Sequence, residues 1–399
     1  MNHSARLSRI FALTFVESFA GVLLQRGVYF YTHDALAFED NQNLWLALAS
    51  GVTYIIGAVA SHRTAEKLGE KRLLFVTLLG ALSLHLLLAQ NQAVSLLLVA
   101  VPLLSLLQGF KWPVIESFLS AGLTPQELVR TLGRFNVTWA ASVPLALVAA
   151  GQIIAGAFPG ALFAAAAGFN ALAVAMALPL PARPAHLDAE HPERPAEAEL
   201  TRLGTLLRSA RWCMLSSYAL LFLLAPLMPA VFAALGLGVG SATTAAGLLD
   251  LARLACFAWL GARVGWRGRT LPHVLASVCL PLGFALILLG KSLLWVLLGE
   301  ALFGVAAGFV YTAALYYALL LKNASVDAGG AHEGLIGLGF ALGPLAGLLG
   351  SLATPLFGNH SLAVLACSAP IALGGAYLSL RPLLRATARV QALQPTSSK

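Results

Sequence analysis

Apolar residues in this chain come in long unbroken runs separated by short polar joints, and nowhere is there a sustained alternation of apolar and polar positions. A run of ~20 residues at about 1.5 Å per residue crosses a ~30 Å hydrocarbon core. In lipid the backbone must satisfy its own hydrogen bonds, and strands of a closed barrel would be short and alternating, so each run is read as a helix. The pattern predicts six spans in the first half, at about 8–31, 43–61, 73–90, 94–120, 135–157 and 160–180. Six more follow at about 211–235, 241–263, 271–290, 292–321, 334–356 and 361–382. The expected fold class is therefore an all-α polytopic membrane protein of twelve helices.

One long polar interruption, Pro179 to Arg211, falls near the midpoint. It holds five prolines and a cluster of charges, among them Arg183, Asp188, Glu193 and Arg202. Each uncompensated charge at the bilayer centre costs at least ~2.5 kcal/mol, so this stretch is read as an aqueous linker. From Ala196 to Ser209 the prolines stop, and Leu200, Leu203, Leu206 and Leu207 form an apolar stripe. That reads as a short amphipathic helix on the membrane surface, the alternative being a disordered tether. The expected organisation is a six-helix bundle over 1–180, a linker over 181–210, a second six-helix bundle over 211–385 and a tail over 386–399.

Composition agrees, with 59% hydrophobic and 11% charged residues in 399, against about 25% charged in soluble domains. The net charge of +8 is informative through its placement. With both termini on one side, Arg63, Lys67, Lys71, Arg72, Arg130, Arg134, Arg263, Arg267, Arg269, Lys322 and the C-terminal Arg381, Arg385, Arg389 and Lys399 share that side with the linker arginines. Only Lys291 falls in an opposite loop, and the loop His33 to Asn43 is acidic. The positive-inside rule then places both termini in the cytoplasm. Such a charge pattern speaks of topology, not of nucleic-acid binding, and no basic and aromatic recognition module is present. Arg6 and Arg9 before the first run resemble a signal-peptide start, but the run is too long and lacks a small-residue cleavage site, so it is read as an anchor. Cys213, Cys256, Cys279 and Cys367 have no paired spacing and suggest neither disulfide nor zinc.

Ionisable residues within spans are costly and so point to function. They are Glu17 and Arg26 in the first span, Lys111 and Glu116 in the fourth, Asp250 and Arg253 in the eighth, and Glu300 in the tenth. Arg26 and Glu116 lie near span ends, from which they could snorkel to water. Asp250 and Arg253, three apart, share a helical face and could neutralise each other. Glu17 and Glu300 have no basic residue three or four positions away. They are expected to face a shared central cavity, where at least one binds a proton, the alternatives being a gluing hydrogen bond or a cation from a neighbouring helix. Trp112, Trp139, Tyr311, Tyr316 and Tyr317 could stack on a solute, anchor at the interface, or simply pack. Glu333, beside His332, reads as charge compensation at a helix start.

The halves echo each other at a shift of about 200 residues, with Pro144 matched by Pro344 and Glu127 by Asp327. Gly57, three intervening residues and then Ser61 precede Glu66, Lys67, Gly69, Lys71 and Arg72 in the loop between the second and third spans. Gln108-Gly109 lies in the fourth span, with Ser105 where an arginine would stand, and Glu300 precedes Gly304 in the tenth. The eleventh span carries Gly339, Gly343, Pro344 and Gly347.

These features together resemble the major facilitator superfamily over essentially the whole chain. The resemblance implies two pseudo-symmetric six-helix bundles and a cavity lined by the first, fourth, seventh and tenth spans. Gly57, Glu66, Lys67, Gly69 and Arg72 would then be the cytoplasmic loop motif. The glycine-proline set of the eleventh span is similar to a signature that the family's antiporters carry in their fifth, and suggests either gating or tight packing. The implied function is secondary active transport of a small organic solute by alternating access, with proton coupling and no cofactor. The implied setting is a monomer in a cell membrane, read as a bacterial inner membrane from the compact loops. The rival readings are a polytopic membrane enzyme acting on lipid, and a sensor or receptor on a transporter scaffold.

Overall fold

The computed structural model describes residues 3–120, 123, 125–184, 197–321 and 326–392. Among them there are helices and no strands. In the first half these are α1 (His3–Gln25), α2 (Gly27–Leu36), α3 (Asp40–Leu68), α4 (Glu70–Gln90), α5 (Val94–Ser120), α6 (Pro125–Ile154) and α7 (Ala161–Ala177). In the second they are α8 (Glu197–Ala234), α9 (Val239–Ala262), α10 (Leu271–Leu289), α11 (Leu293–Leu321), α12 (Val326–Phe357) and α13 (His360–Ala392). The predicted first span is a broken one, with α1 and α2 interrupted at Arg26. Among the described residues eleven stretches are long and apolar enough to cross a membrane, and α7 is a shorter apolar helix.

The spans run with several internal prolines, including Pro102, Pro113, Pro144, Pro226, Pro229 and Pro344. Membrane helices tolerate these because neighbouring helices and hydroxyl side chains can serve the freed backbone groups. Of the linker, residues 185–196 lie outside the described residues, as does Pro195. The amphipathic stretch is not a separate surface helix but the first part of α8, which runs unbroken to Ala234. Its stripe is consumed by protein: Leu203, Leu206 and Leu207 are buried in the core. Gly69 closes the turn between α3 and α4 at φ 85°, a left-handed conformation that glycine adopts without strain. Lys71 beside it donates to the Leu178 carbonyl at 2.7 Å, one of the unsatisfied acceptors at the end of α7.

Within the first half, Gly57 and Gly109 let α3 and α5 cross at backbone contact, since a Cβ on either would overlap a carbonyl of the other helix. Between the halves, α3 packs on α12 and α6 on α9. Gly51 lies against the Phe340 backbone, Gly347 against Leu44, Gly151 against Thr243, and Gly247 against Pro144. These glycines lie toward the end that carries the first loop, where His360 also meets Asp40 at 3.5 Å. The halves are thus zipped together at that end. At the opposite, arginine-rich end they part around a vestibule of about 760 Å³, lined by Arg130, Arg134 and Arg267 among others.

Candidate functional site

The charges inside the spans gather in three places. Lys111 of α5 and Glu17 of α1 form a buried ion pair in the first half, with 1% and 0% exposure. Asn170 of α7 donates to the other oxygen of Glu17 at 2.8 Å, and His85 of α4 lies 2.6 Å from the Asn170 carbonyl oxygen. Four helices of one bundle are tied by this chain of polar groups, which satisfies a buried lysine. The partner that spacing along α1 could not reveal comes from a neighbouring helix.

The second cluster crosses between the halves. Arg26, at the break between α1 and α2, is ion-paired with Asp250 of α9, whose other oxygen accepts from Arg253 Nη2 at 2.7 Å. Arg26 therefore does not snorkel to water: it is 9% exposed and is held by a fully enclosed carboxylate. The self-neutralising pair on α9 is present, and a second cation joins it from the other bundle. Arg253 also stacks 4.8 Å from the Trp139 ring centre, and its Nε has no hydrogen-bond partner. Glu300 of α11 is fully buried, with neither carboxyl oxygen hydrogen-bonded. Its neighbours in charge are Arg26 and Asp250.

The third cluster departs in part from the sequence expectation. Glu116 of α5 and Glu333 of α12 face one another across the halves, and Tyr54 Oη of α3 donates to Glu333 Oε2 at 2.6 Å. Because α12 begins at Val326, Glu333 lies about two turns inside it and cannot serve as a helix-start charge. Glu116 faces this second carboxyl and the central cavity. Two carboxylates side by side in an apolar setting repel one another, and a single proton shared between them relieves that repulsion.

A central cavity of about 150 Å³ lies between the halves and joins the second and third clusters. Four helices of each half line it: α1, α3, α5 and α6, with α8, α9, α11 and α12. The first, fourth, seventh and tenth spans implied by the resemblance are α1, α5, α8 and α11; α3, α6, α9 and α12 join them, and α4, α7, α10 and α13 contribute nothing to this lining. Of the residues singled out from sequence, Arg26, Glu116, Arg253, Trp112, Trp139 and Tyr311 line it, with Asp250 bonded behind. Glu17, Lys111 and Glu300 are not among the lining residues, so the shared cavity expected for Glu17 and Glu300 is not formed here. Sequence reading missed Glu333, Tyr54, Tyr218 and Phe222. A charge-bearing position well inside an apolar run was the available signal for Glu333; the aromatics are indistinguishable from core residues.

Trp139 of α6, Phe257 of α9 and Tyr311 of α11 stand with ring centres 5.4 to 5.6 Å apart. Phe257 lines the vestibule, whereas Trp139 and Tyr311 line the cavity. The three rings therefore close the route from one to the other with contacts that involve both halves. Tyr316 remains at the vestibule under Arg267, and Tyr317 accepts from the Gly268 amide at 3.0 Å. Among the described residues no group of three His, Cys, Asp or Glu side chains is placed to hold a metal ion.

Two bundles joined about an inter-half cavity narrow the fold to transporter architectures built of repeats. The sequence matches the Major Facilitator Superfamily over residues 10–347. The chain belongs to that superfamily. It is a membrane transporter and not an enzyme. Its structure is similar to that of the human organic anion transporter MFSD10 (TETRAN), with a TM-score of 0.65, 16% identity, and coverage of 96% of this chain and 99% of that one. It is similar also to the nucleoside transporter NupG, with a TM-score of 0.67, 14% identity, and coverage of 96% and 99%. No curated protein sequence matches the chain.

Within this major facilitator fold the loop motif is divided. Gly57 and Ser61 belong to α3, where Ser61 donates to the Phe110 carbonyl at 2.8 Å. Glu66 is exposed and pairs with His62 at 3.3 Å. The glycine set of α12 is divided too. Gly339 and Gly343 press on Tyr218 and Ala219 of α8 in their own bundle, whereas Gly347 meets Leu44 of α3 in the other.

Proposed function

We propose that this protein is a secondary active transporter that moves a small organic solute by alternating access of the central cavity. The observation that carries the reading is the cavity itself, bounded by four helices from each half, with close glycine contacts zipping the halves at one end. Such contacts are discrete and close-packed, so separation at one end and closure at the other makes a two-state element. On this reading the arginine-rich end is cytoplasmic, both termini lie there, and the conformation is closed to the outside with an aromatic constriction above an inner vestibule. The two similar structures are both of transporters, which supports the reading at the level of fold.

Coupling is to protons. Glu116 and Glu333 are the carriers in place of Glu17 and Glu300, because theirs is the carboxyl pair that both lines the cavity and bridges the halves. The protein works as a monomer, since each protomer encloses a complete cavity. The test is flux in liposomes of purified protein. A labelled solute should accumulate unchanged when an inward proton gradient is imposed, and Glu116→Gln together with Glu333→Gln should leave downhill exchange while abolishing uphill accumulation. Accumulation that survives both substitutions refutes the coupling, and chemical conversion without flux refutes transport.

A further inference from the structure

We infer that the solute is a small organic monoanion with a flat or compact apolar body, its charge received by Arg253 and balanced by a proton on the Glu116–Glu333 pair. The inference rests on the transport reading above and deepens it to a substrate class. Its first support is an incompletely used cation. Arg253 is 5% exposed, lines the cavity, spends one nitrogen on Asp250, and leaves its Nε without a partner. A guanidinium presents a planar fork of donors suited to a carboxylate, and a buried N–H without an acceptor is costly. Stacking on Trp139 fixes the plane of that fork.

Charge balance is the second support. Arg26, Asp250 and Arg253 sum to one positive charge beside the cavity. Glu300, enclosed and without a hydrogen-bond partner, is accommodated as the uncharged acid. The carboxyl pair, sharing one proton, supplies one negative charge. The empty cavity is then neutral. A second proton alone, or an anion alone, would leave a net charge in an apolar enclosure, whereas an anion and a proton together restore neutrality. The other titratable groups around the pair are Tyr54, Tyr218 and Tyr311, with His332 stacked on Tyr311 and Arg211 beyond it, and the cations on the same cavity are Arg26, paired with Asp250, and Arg253. The tyrosines are neutral and do not alter the sum.

Size is the third support. A cavity of about 150 Å³ is of the size that holds one benzene ring when walled by apolar side chains. Here the walls are Phe135, Trp139, Val143, Phe222 and Ile336, so the ligand's apolar body has surfaces to stack on while its charge meets Arg253.

Three probe families of matched shape separate the classes, using full-length protein in detergent: benzoate and pentanoate, their amides, and benzylammonium. Thermal stabilisation should be given by the carboxylates and be at least about tenfold weaker in concentration for the amides. In weakly buffered solution, carboxylate binding should take up about one proton per site, and Glu333→Gln should remove the uptake. Arg253→Gln should abolish carboxylate binding and Arg253→Lys should restore part of it. Should Arg253→Gln fail to fold, Trp139→Leu, which releases the guanidinium plane and also removes part of the wall, should weaken carboxylate binding about tenfold more than it weakens amide binding. Equal or better stabilisation by an amide or by benzylammonium, binding of carboxylate without proton uptake, or no stabilisation by any carboxylate overturns the proposal. None of these results touches the transport reading, which the flux and conversion measurements decide separately.

Discussion

Asp250 is the most consequential single charge in the protein, because it holds two guanidiniums from opposite bundles and is itself wholly enclosed. Asp250→Asn keeps the volume and removes the charge, so the cluster passes from one net positive charge to two. Removing one member of a buried pair costs about 3–5 kcal/mol. Two guanidiniums that reach opposite oxygens of one carboxylate stand on the order of 6 Å apart, where an effective dielectric constant of about 20 gives a repulsion of about 3 kcal/mol. Arg26→Gln instead leaves a neutral Asp250–Arg253 pair and loses one charged hydrogen bond, about 1.5–3 kcal/mol. The double variant removes the repulsion and should therefore be more stable than Asp250→Asn alone. The cycle is read from unfolding midpoints in mixed micelles of rising denaturing-detergent content, followed by tryptophan fluorescence. Energies that simply add, or an Asp250→Asn protein as stable as the parent, would show that the three groups do not act as the cluster described.

The other predictions follow from the same packing. Glu17→Gln strands Lys111, which is 1% exposed, and should cost about 3–5 kcal/mol of stability, whereas Glu300→Gln breaks no ion pair and should stay within about 1 kcal/mol of the parent by the same detergent titration. Gly343→Leu should fail to yield folded protein on size exclusion, because its side chain would collide with the Ala219 backbone of the same bundle, while Gly51→Leu, set against Phe340 of the opposite bundle, should fold and expose cysteines placed near Asp40 and His360 to impermeant reagent. Single cysteines at Lys71 and Glu39, in a background without the four native ones, should label from the inside and the outside respectively; outside labelling at position 71 rejects the orientation.

Much of the fold was legible because lipid imposes a one-dimensional rule. A segment that crosses a bilayer must be apolar over about 20 residues, and the run lengths carry that directly. Hence the spans and the polar stretch at the midpoint were readable from where charges do and do not occur, whereas the set of helices around the cavity was implied only by the family resemblance. The end of a helix is less legible: α8 begins in the polar stretch, since Leu203, Leu206 and Leu207 find partners in the core and water-facing arginines do not break a helix.

The sites divide along the same line. Sequence alone determined which residues carry unusual cost, namely Glu17, Arg26, Lys111, Glu116, Asp250, Arg253 and Glu300, because the cost of a charge in a span depends only on its being there. Only the tertiary structure decided what each cost is offset by. Glu17 meets Lys111 from another helix of its bundle, Arg26 meets Asp250 across the two bundles, and Glu116 meets Glu333, which lies inside α12 and not at its start. The physical reason is that electrostatic and hydrogen-bond partners act over a few ångströms of space, and in a helical bundle most of the neighbours at that range belong to other helices.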